Sequence, residues 1–131
     1  MSKGALTRQA ILHHGVEIAY HVGLGGLSIG TLAAGTGLSK SGLFAHFGSK
    51  EALQLDVLAQ ARSEFVDTVI RPALAMPRGE PRVRALFEHW LASGRARLPG
   101  GCLFVKAATE FDEQAGPVRD QLARDHRDLY E

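Results

Sequence analysis

Apolar residues in this 131-residue chain recur at intervals of three and four almost from end to end. That spacing suits helices and leaves little room for strands. Ile11, Gly15, Ile18 and Val22 trace a first stripe, and Gly23-Leu24-Gly25-Gly26 stops it. Ser28 is placed to cap a short second helix through about Ala34. Gly35-Thr36-Gly37 breaks that helix, and Ser39 is placed to cap a third reaching about His46. Ser49 opens a longer helix on which Leu53, Val57, Ala61 and Phe65 return every fourth residue, ending near Pro72 to Pro77. Pro81 suits the first turn of a fifth helix, whose stripe is Val83, Leu86, Phe87, Trp90, Leu91 and Gly94. Pro99-Gly100-Gly101 separates it from a sixth, carrying Leu103, Phe104, Ala107, Ala108 and Phe111. Pro117 begins a seventh, with Val118, Leu122 and Leu129 to one side. No stretch alternates as a half-buried strand would, and no internal repeat or low-complexity segment is present. The expected fold is all-α.

Composition narrows the class. Apolar residues make up 45% and charged residues 22%, the balance of an ordinary globular chain rather than a disordered one. No apolar run approaches the roughly 18 residues of a membrane span. The first residues, Met1-Ser2-Lys3-Gly4-Ala5-Leu6, lack the apolar core of a secretory signal. One cysteine rules out an internal disulfide framework and a cysteine-based zinc site. The expectation is a soluble cytoplasmic protein with no membrane association. The net charge of +1 says little, but its distribution is uneven. Residues 1–50 carry Lys3, Arg8, Lys40 and Lys50 against Glu17 alone, whereas residues 51–131 lean acidic. A basic first unit over 1–50 and a second helical unit over 51–131 follow, the first suited to an anionic partner.

The densest information lies in Leu32-Ala33-Ala34-Gly35-Thr36-Gly37-Leu38-Ser39-Lys40-Ser41-Gly42-Leu43-Phe44. A helix-turn-helix needs a small residue where the second helix crosses the first, and Ala33 supplies it. It needs a turn that accepts a left-handed residue, and Gly37 stands there four positions later. Leu32, Leu38 and Leu43 are expected to lock the pair to a third helix. The helix opening at Ser39 then presents Ser39, Lys40, Ser41 and Gly42 at its N-terminal end, where hydroxyls, a lysine and the helix dipole suit phosphates and base edges.

Leu27-Ser28-Ile29, the motif itself and Leu43-Phe44-Ala45-His46-Phe47-Gly48-Ser49-Lys50-Glu51-Ala52-Leu53 together resemble the TetR family of bacterial transcriptional regulators over about Thr7 to Leu58. The resemblance implies an N-terminal DNA-binding domain (1–50), followed by a helical regulatory domain for ligand binding and dimerisation (51–131). It implies phosphate contacts from Ser28 and Thr31 at the start of helix two. Ser39, Lys40, Ser41 and Gly42 match the positions that meet the major groove. His46 matches a position close to DNA, and Lys50 one that binds phosphate at the start of helix four. Where the family often has tyrosine this chain has Phe44, which keeps the place at the DNA but loses a phenolic contact. Phe47 reads as the plug fixing the recognition helix, with Lys3 and Arg8 as further backbone contacts. Family members run near 200 residues and dimerise through their last two helices. This chain reaches only the seventh helix, so a truncated form, another dimer surface and a monomer are all left open.

The second segment resembles the family's inducer-binding region. Phe65, Phe87, Trp90, Phe104 and Phe111 are candidates to line an apolar pocket, although aromatic stripes at helical spacing are ordinarily core. His89, beside Trp90, is a lesser candidate against a plain surface reading. Cys102 follows two glycines at an expected helix N-terminus, where a dipole raises thiol reactivity. It also resembles the cysteine of family members that sense electrophiles, against the plainer reading of a small buried side chain. His13, Glu17 and His21 share one helical face at metal-ligand spacing, but opposite the apolar stripe, where a solvated face is the simpler reading. Asp112-Glu113 and Asp125-His126-Arg127-Asp128 read as solvent-facing charge runs. Neither a phosphate loop, a nucleophile elbow nor a zinc-protease motif is present, so no enzyme, metal or cofactor is expected. The sequence reading is a ligand- or stress-responsive repressor, binding a palindromic double-stranded operator as a homodimer and released by a small-molecule or electrophile inducer. Its rival is a helical interaction module of the same fold that no longer binds operators.

Overall fold

The computed structural model describes residues 3–96, 102–111 and 114–130, with side chains over 8–95, 102–111 and 114–128. Every regular element among them is helical. Helices α1 (Lys3–Val22), α2 (Ile29–Thr36) and α3 (Lys40–Phe47) form the N-terminal unit. Helix α4 follows in three consecutive pieces: Lys50–Phe65, a π-helical stretch Val66–Ile70, and a closing α-turn Arg71–Leu74. Then come α5 (Glu80–Ala96), α6 (Leu103–Glu110) and α7 (Pro117–Tyr130). The Pro99-Gly100-Gly101 break, Asp112-Glu113 and the side chains of Lys3 and Leu129 lie outside the described residues.

The three serines read as caps all act as caps. Ser28 accepts from the Thr31 amide in a reciprocal capping box, Ser39 from Gly42 and Ser49 from Ala52. Helix α2 runs through Gly35 to Thr36 and stops at Gly37, whose φ of 73° is the left-handed conformation expected of it. The core gathers Ile11, Val16 and Ala19 of α1 with Leu24 and Leu27 of the following turn. Leu32, Leu43 and Phe47 join it, with Leu53, Val57, Leu58 and Ala61 of α4.

Several expectations fail for local reasons. The buried face of α1 keeps Ile11 and Gly15 of the expected stripe, with Ile18 packed against the core, but it also takes in Val16, Ala19 and Tyr20 and leaves Val22 52% exposed. At Gly15, which the stripe does place inside, α4 crosses so closely that a Cβ would stand 2.7 Å from Val57 Cγ2. Leu38 is exposed in the turn and locks nothing. The π stretch was not legible as such, yet Pro72 explains it. A proline has no amide to donate and its ring crowds the carbonyl four residues back, and a widened turn relieves that clash. Accordingly the Arg71 amide reaches back five residues to the Val66 carbonyl.

The largest departure is α5. Its apolar stripe does not enter a core: Val83, Leu86, Phe87, Trp90 and Leu91 are all exposed, and Ala85 is its buried apolar residue. Among the described residues no helix is long and apolar enough to cross a membrane.

Candidate nucleic-acid interface and ligand cavity

The helix α3 divides cleanly into two faces. Leu43 and Phe47 point into the core, whereas Lys40, Ser41, Gly42, Phe44 and His46 are exposed. Lys50, in the first turn of α4, is exposed as well, and neither it nor Lys40 is in an ion pair among the described residues. The first turns of α2 and α3 carry no acidic side chain. Lys40 leans back over α2, its Cε 3.8 Å from where a Cβ on Gly30 would stand. Its ammonium group is therefore next to the N-terminal turn of α2, where free amides and the dipole already favour an anion. Thr31 is exposed on that turn, but its hydroxyl is engaged, accepting from the Ser28 amide (2.8 Å) and donating to the Ser28 carbonyl (3.0 Å). The expected DNA-facing residues of α3 and Lys50 are thus exposed, with Lys40 brought beside the first turn of α2.

Arg8 does something different from the expected backbone contact. Its guanidinium group lies 4.9 Å from the centre of the Phe47 ring and donates to Asp56 at 2.9 Å and to the His46 carbonyl at 3.3 Å. One side chain of α1 therefore ties the end of α3 to α4. A planar cation suits this place, because it can stack on a ring and fork to a carboxylate at once. Phe47, as expected, is buried and anchors α3.

A second grip was missed in the sequence. Glu110, the last residue of α6, accepts from the amides of Leu24 and Gly25 at 3.0 and 3.1 Å, and Gln54 donates to the Leu24 carbonyl at 3.0 Å. The turn between α1 and α2 is held from both α4 and α6. A Cβ on Gly23, where φ is 83°, would stand 2.6 Å from a Glu110 carboxylate oxygen. The glycine-rich turn thus makes room for the carboxylate.

Between the far half of α4 and helices α5 to α7 lies a cavity of about 370 Å³. Its apolar wall includes Phe65, Val66, Ile70, Leu86 and Phe104, with the Phe65 and Phe104 rings edge to face at 5.5 Å. Of the five aromatics expected to line a pocket, the cavity takes these two. Phe87 and Trp90 face outward. Phe111 is buried against a separate hollow of about 210 Å³ with Ala108, Leu122 and His126. Cys102 stands at the N-cap position of α6 without a side-chain capping bond, half-buried against the core, and is not in the cavity wall.

The polar end of the cavity was read in the sequence as solvent-facing charge. Asp125 is in fact 6% exposed, with Arg62 Nη1 at 3.0 Å and Gln121 Nε2 at 2.8 Å on its Oδ1. Arg62 also reaches Asp128 at 2.8 Å. The signal was available, since Asp125 falls seven residues after Val118 and three after Leu122, on the buried stripe of α7. On α1, His13 pairs with Glu64 of α4 at 2.6 Å rather than joining Glu17 and His21 in a metal site, and His21 is exposed.

Comparison with known proteins decides the family. The family model described as bacterial regulatory proteins, tetR family, matches residues 11–57, and the tetracyclin repressor-like C-terminal domain matches residues 79–131. The chain belongs to the TetR family. A solved neighbour agrees: SCO4454, a TetR-family transcriptional regulator from Streptomyces coelicolor, superposes with a TM-score of 0.76 at 26% identity. The match covers 92% of this chain and 59% of that one, so the chain spans a little under three-fifths of that regulator's length. No curated protein matches. In this TetR-family chain, α4 lies largely between the two matched segments. It connects the interface to the cavity.

Proposed function

We propose that this TetR-family chain is a DNA-binding transcriptional regulator, a repressor whose unit 1–50 binds a palindromic operator as part of a homodimer. Its unit 51–131 then responds to a small molecule. The observation that carries the reading is the outward face of α3, where Ser39, Lys40, Ser41, Gly42, Phe44 and His46 stand with Lys50 beside them, unobstructed and without ion pairing of either lysine. Lys40 beside the N-terminus of α2 is suited to a phosphate, and the short side chains around it allow the helix to lie deep in a major groove. Two such helices about 34–36 Å apart would read adjacent grooves of a palindrome.

Release follows from the way the cavity and the interface share helices. Phe104 in the cavity wall and Glu110 on the α1–α2 turn stand on α6, barely two turns apart. On α4, Arg62 and Phe65 line the cavity, while Asp56 holds Arg8 and through it the end of α3. A ligand that moves α6 or α4 changes the angle of α3 and the separation of two recognition helices. Base contacts are worth about 1–3 kcal/mol each, so losing one half-site is enough for release. Linkage requires the operator to weaken the ligand by the same factor. Cys102 is outside the cavity wall, so a reversible ligand in the cavity and an electrophile at Cys102 would be two separate routes to release.

The test is selection of bound sites from random double-stranded DNA, with Lys40→Glu beside the wild type and sedimentation of both. A palindrome enriched by the wild type alone is the expected result. One specific observation favours the rival interaction module: the uncovered apolar face of α5. A stable oligomer that enriches no site, and whose association survives Lys40→Glu and Lys50→Glu, would establish that rival.

A further inference from the structure

The cavity between α4 and α7 contains a polar defect that its own side chains leave unfilled. Asp125 is more than nine-tenths buried, and while its Oδ1 accepts from both Arg62 and Gln121, its Oδ2 is buried with no hydrogen-bond partner. Buried carboxylate oxygens rarely stay unpaired, and such an atom usually marks an absent water, ion or ligand. The residue stands in the wall of the 370 Å³ cavity and also borders a second hollow of about 480 Å³ behind it. Oδ2 itself is covered, so a donor entering the cavity reaches it only as the Asp125 carboxylate reorients.

The surroundings specify what would fill the gap. Arg62 divides its guanidinium group between Asp125 and Asp128, and His126, its Nδ1 2.7 Å from the Leu122 carbonyl, also lines that end of the cavity. Arg82, also in the wall, is turned away to the carbonyls of Leu74 and Met76. The opposite wall is apolar, built on Phe65, Ile70 and Phe104. We infer that the cavity takes a small amphipathic amine, its protonated nitrogen donating to Asp125 Oδ2 and its apolar body lying against Phe65 and Phe104. A protonated amine is preferred to a hydroxyl because a charged donor makes the stronger hydrogen bond to an empty carboxylate oxygen. The inference deepens the ligand-response reading and rests on the same cavity.

Titration calorimetry of the DNA-free protein tests it with three probes of one shape: 4-phenylbutylamine, 4-phenylbutan-1-ol and the methyl ether of that alcohol. The amine should bind one to one and at least tenfold tighter than the ether, with the alcohol between them. Asp125→Asn should bring the amine down to the ether and leave the ether unchanged. Leu86→Trp, in the cavity wall, should weaken all three, and it keeps the test decisive if Asp125→Asn does not fold by circular dichroism. Equal affinities for amine and ether in the wild type, an amine preference that survives Asp125→Asn, or no binding of any probe would overturn the inference. Operator release by the amine is measured separately. Binding without release would leave the ligand class standing and remove the regulatory reading instead.

Discussion

The two ends of α4 sit in differently built surroundings. Around its N-terminus the chain is closed: Ser28, Ser39 and Ser49 cap their helices, Gly37 and Gly48 end two of them, and Leu32, Leu43, Phe47 and Leu53 fill the space between. Around its far end the backbone widens into a π stretch, a buried carboxylate keeps an empty oxygen, and α5 shows its apolar face to solvent. A helix that reads a groove has to be held at a fixed angle, which dense packing and capping provide. A cavity that admits a ligand needs room and a low cost of local opening. The contrast separates a finished, rigid unit from one whose packing leaves places for something else.

The sharpest way to break that contrast is in the closed half. Phe47→Ala removes a buried ring and the surface on which Arg8 stacks, and should cost about 3–5 kcal/mol in urea unfolding. A loss below about 1 kcal/mol would mean the N-terminal unit is not the rigid one. Next in size is the strap between the halves. Glu110→Ala leaves the amides of Leu24 and Gly25 without their carboxylate, at a cost of about 1–3 kcal/mol. Hydrogen exchange should speed up at those two amides first. If they stay protected, α6 does not hold the turn, and the proposed coupling must run through α4 alone.

The same contrast explains what the sequence showed and what it hid. Capping serines and turn glycines act within three or four residues of themselves, so Ser28, Ser39, Ser49 and Gly37 were legible one by one. The outward face of α3 was legible for the same reason, once Leu43 and Phe47 marked its inner face. Arg8 and Glu110 were not, because their partners lie 48 and more than 80 residues away. Asp125 is disguised by its neighbours His126, Arg127 and Asp128, which look like a solvated run, although it shares a buried face with Val118 and Leu122. The stripe of α5 was misread in the opposite sense. Periodicity shows that Val83, Leu86, Phe87, Trp90 and Leu91 share a side of a helix, but it does not say that anything covers that side.

A smaller effect measures how evenly the closed half is built. Ser49→Ala removes the cap that starts α4 and should cost about 1 kcal/mol by thermal unfolding, as caps usually do. Ser28→Ala should cost a similar amount. Unequal losses would show that one end of the N-terminal unit frays before the other.

The smallest expected effect lies on α5. Phe87 and Trp90 are 58% and 44% exposed, so Phe87→Ser and Trp90→Ser remove little packing from the chain as described. Each should change the unfolding free energy by about 1 kcal/mol or less, against several for Phe47→Ala. Five large apolar side chains on one uncovered face nonetheless favour association, so the two serine variants should reduce any concentration dependence of the melting temperature. If either variant instead costs as much as a core truncation at every protein concentration, the face is packed inside the molecule and α5 belongs to the closed half. If the cost grows with protein concentration, the face is covered by a second copy, and the apparent incompleteness of this half is the surface through which two chains meet.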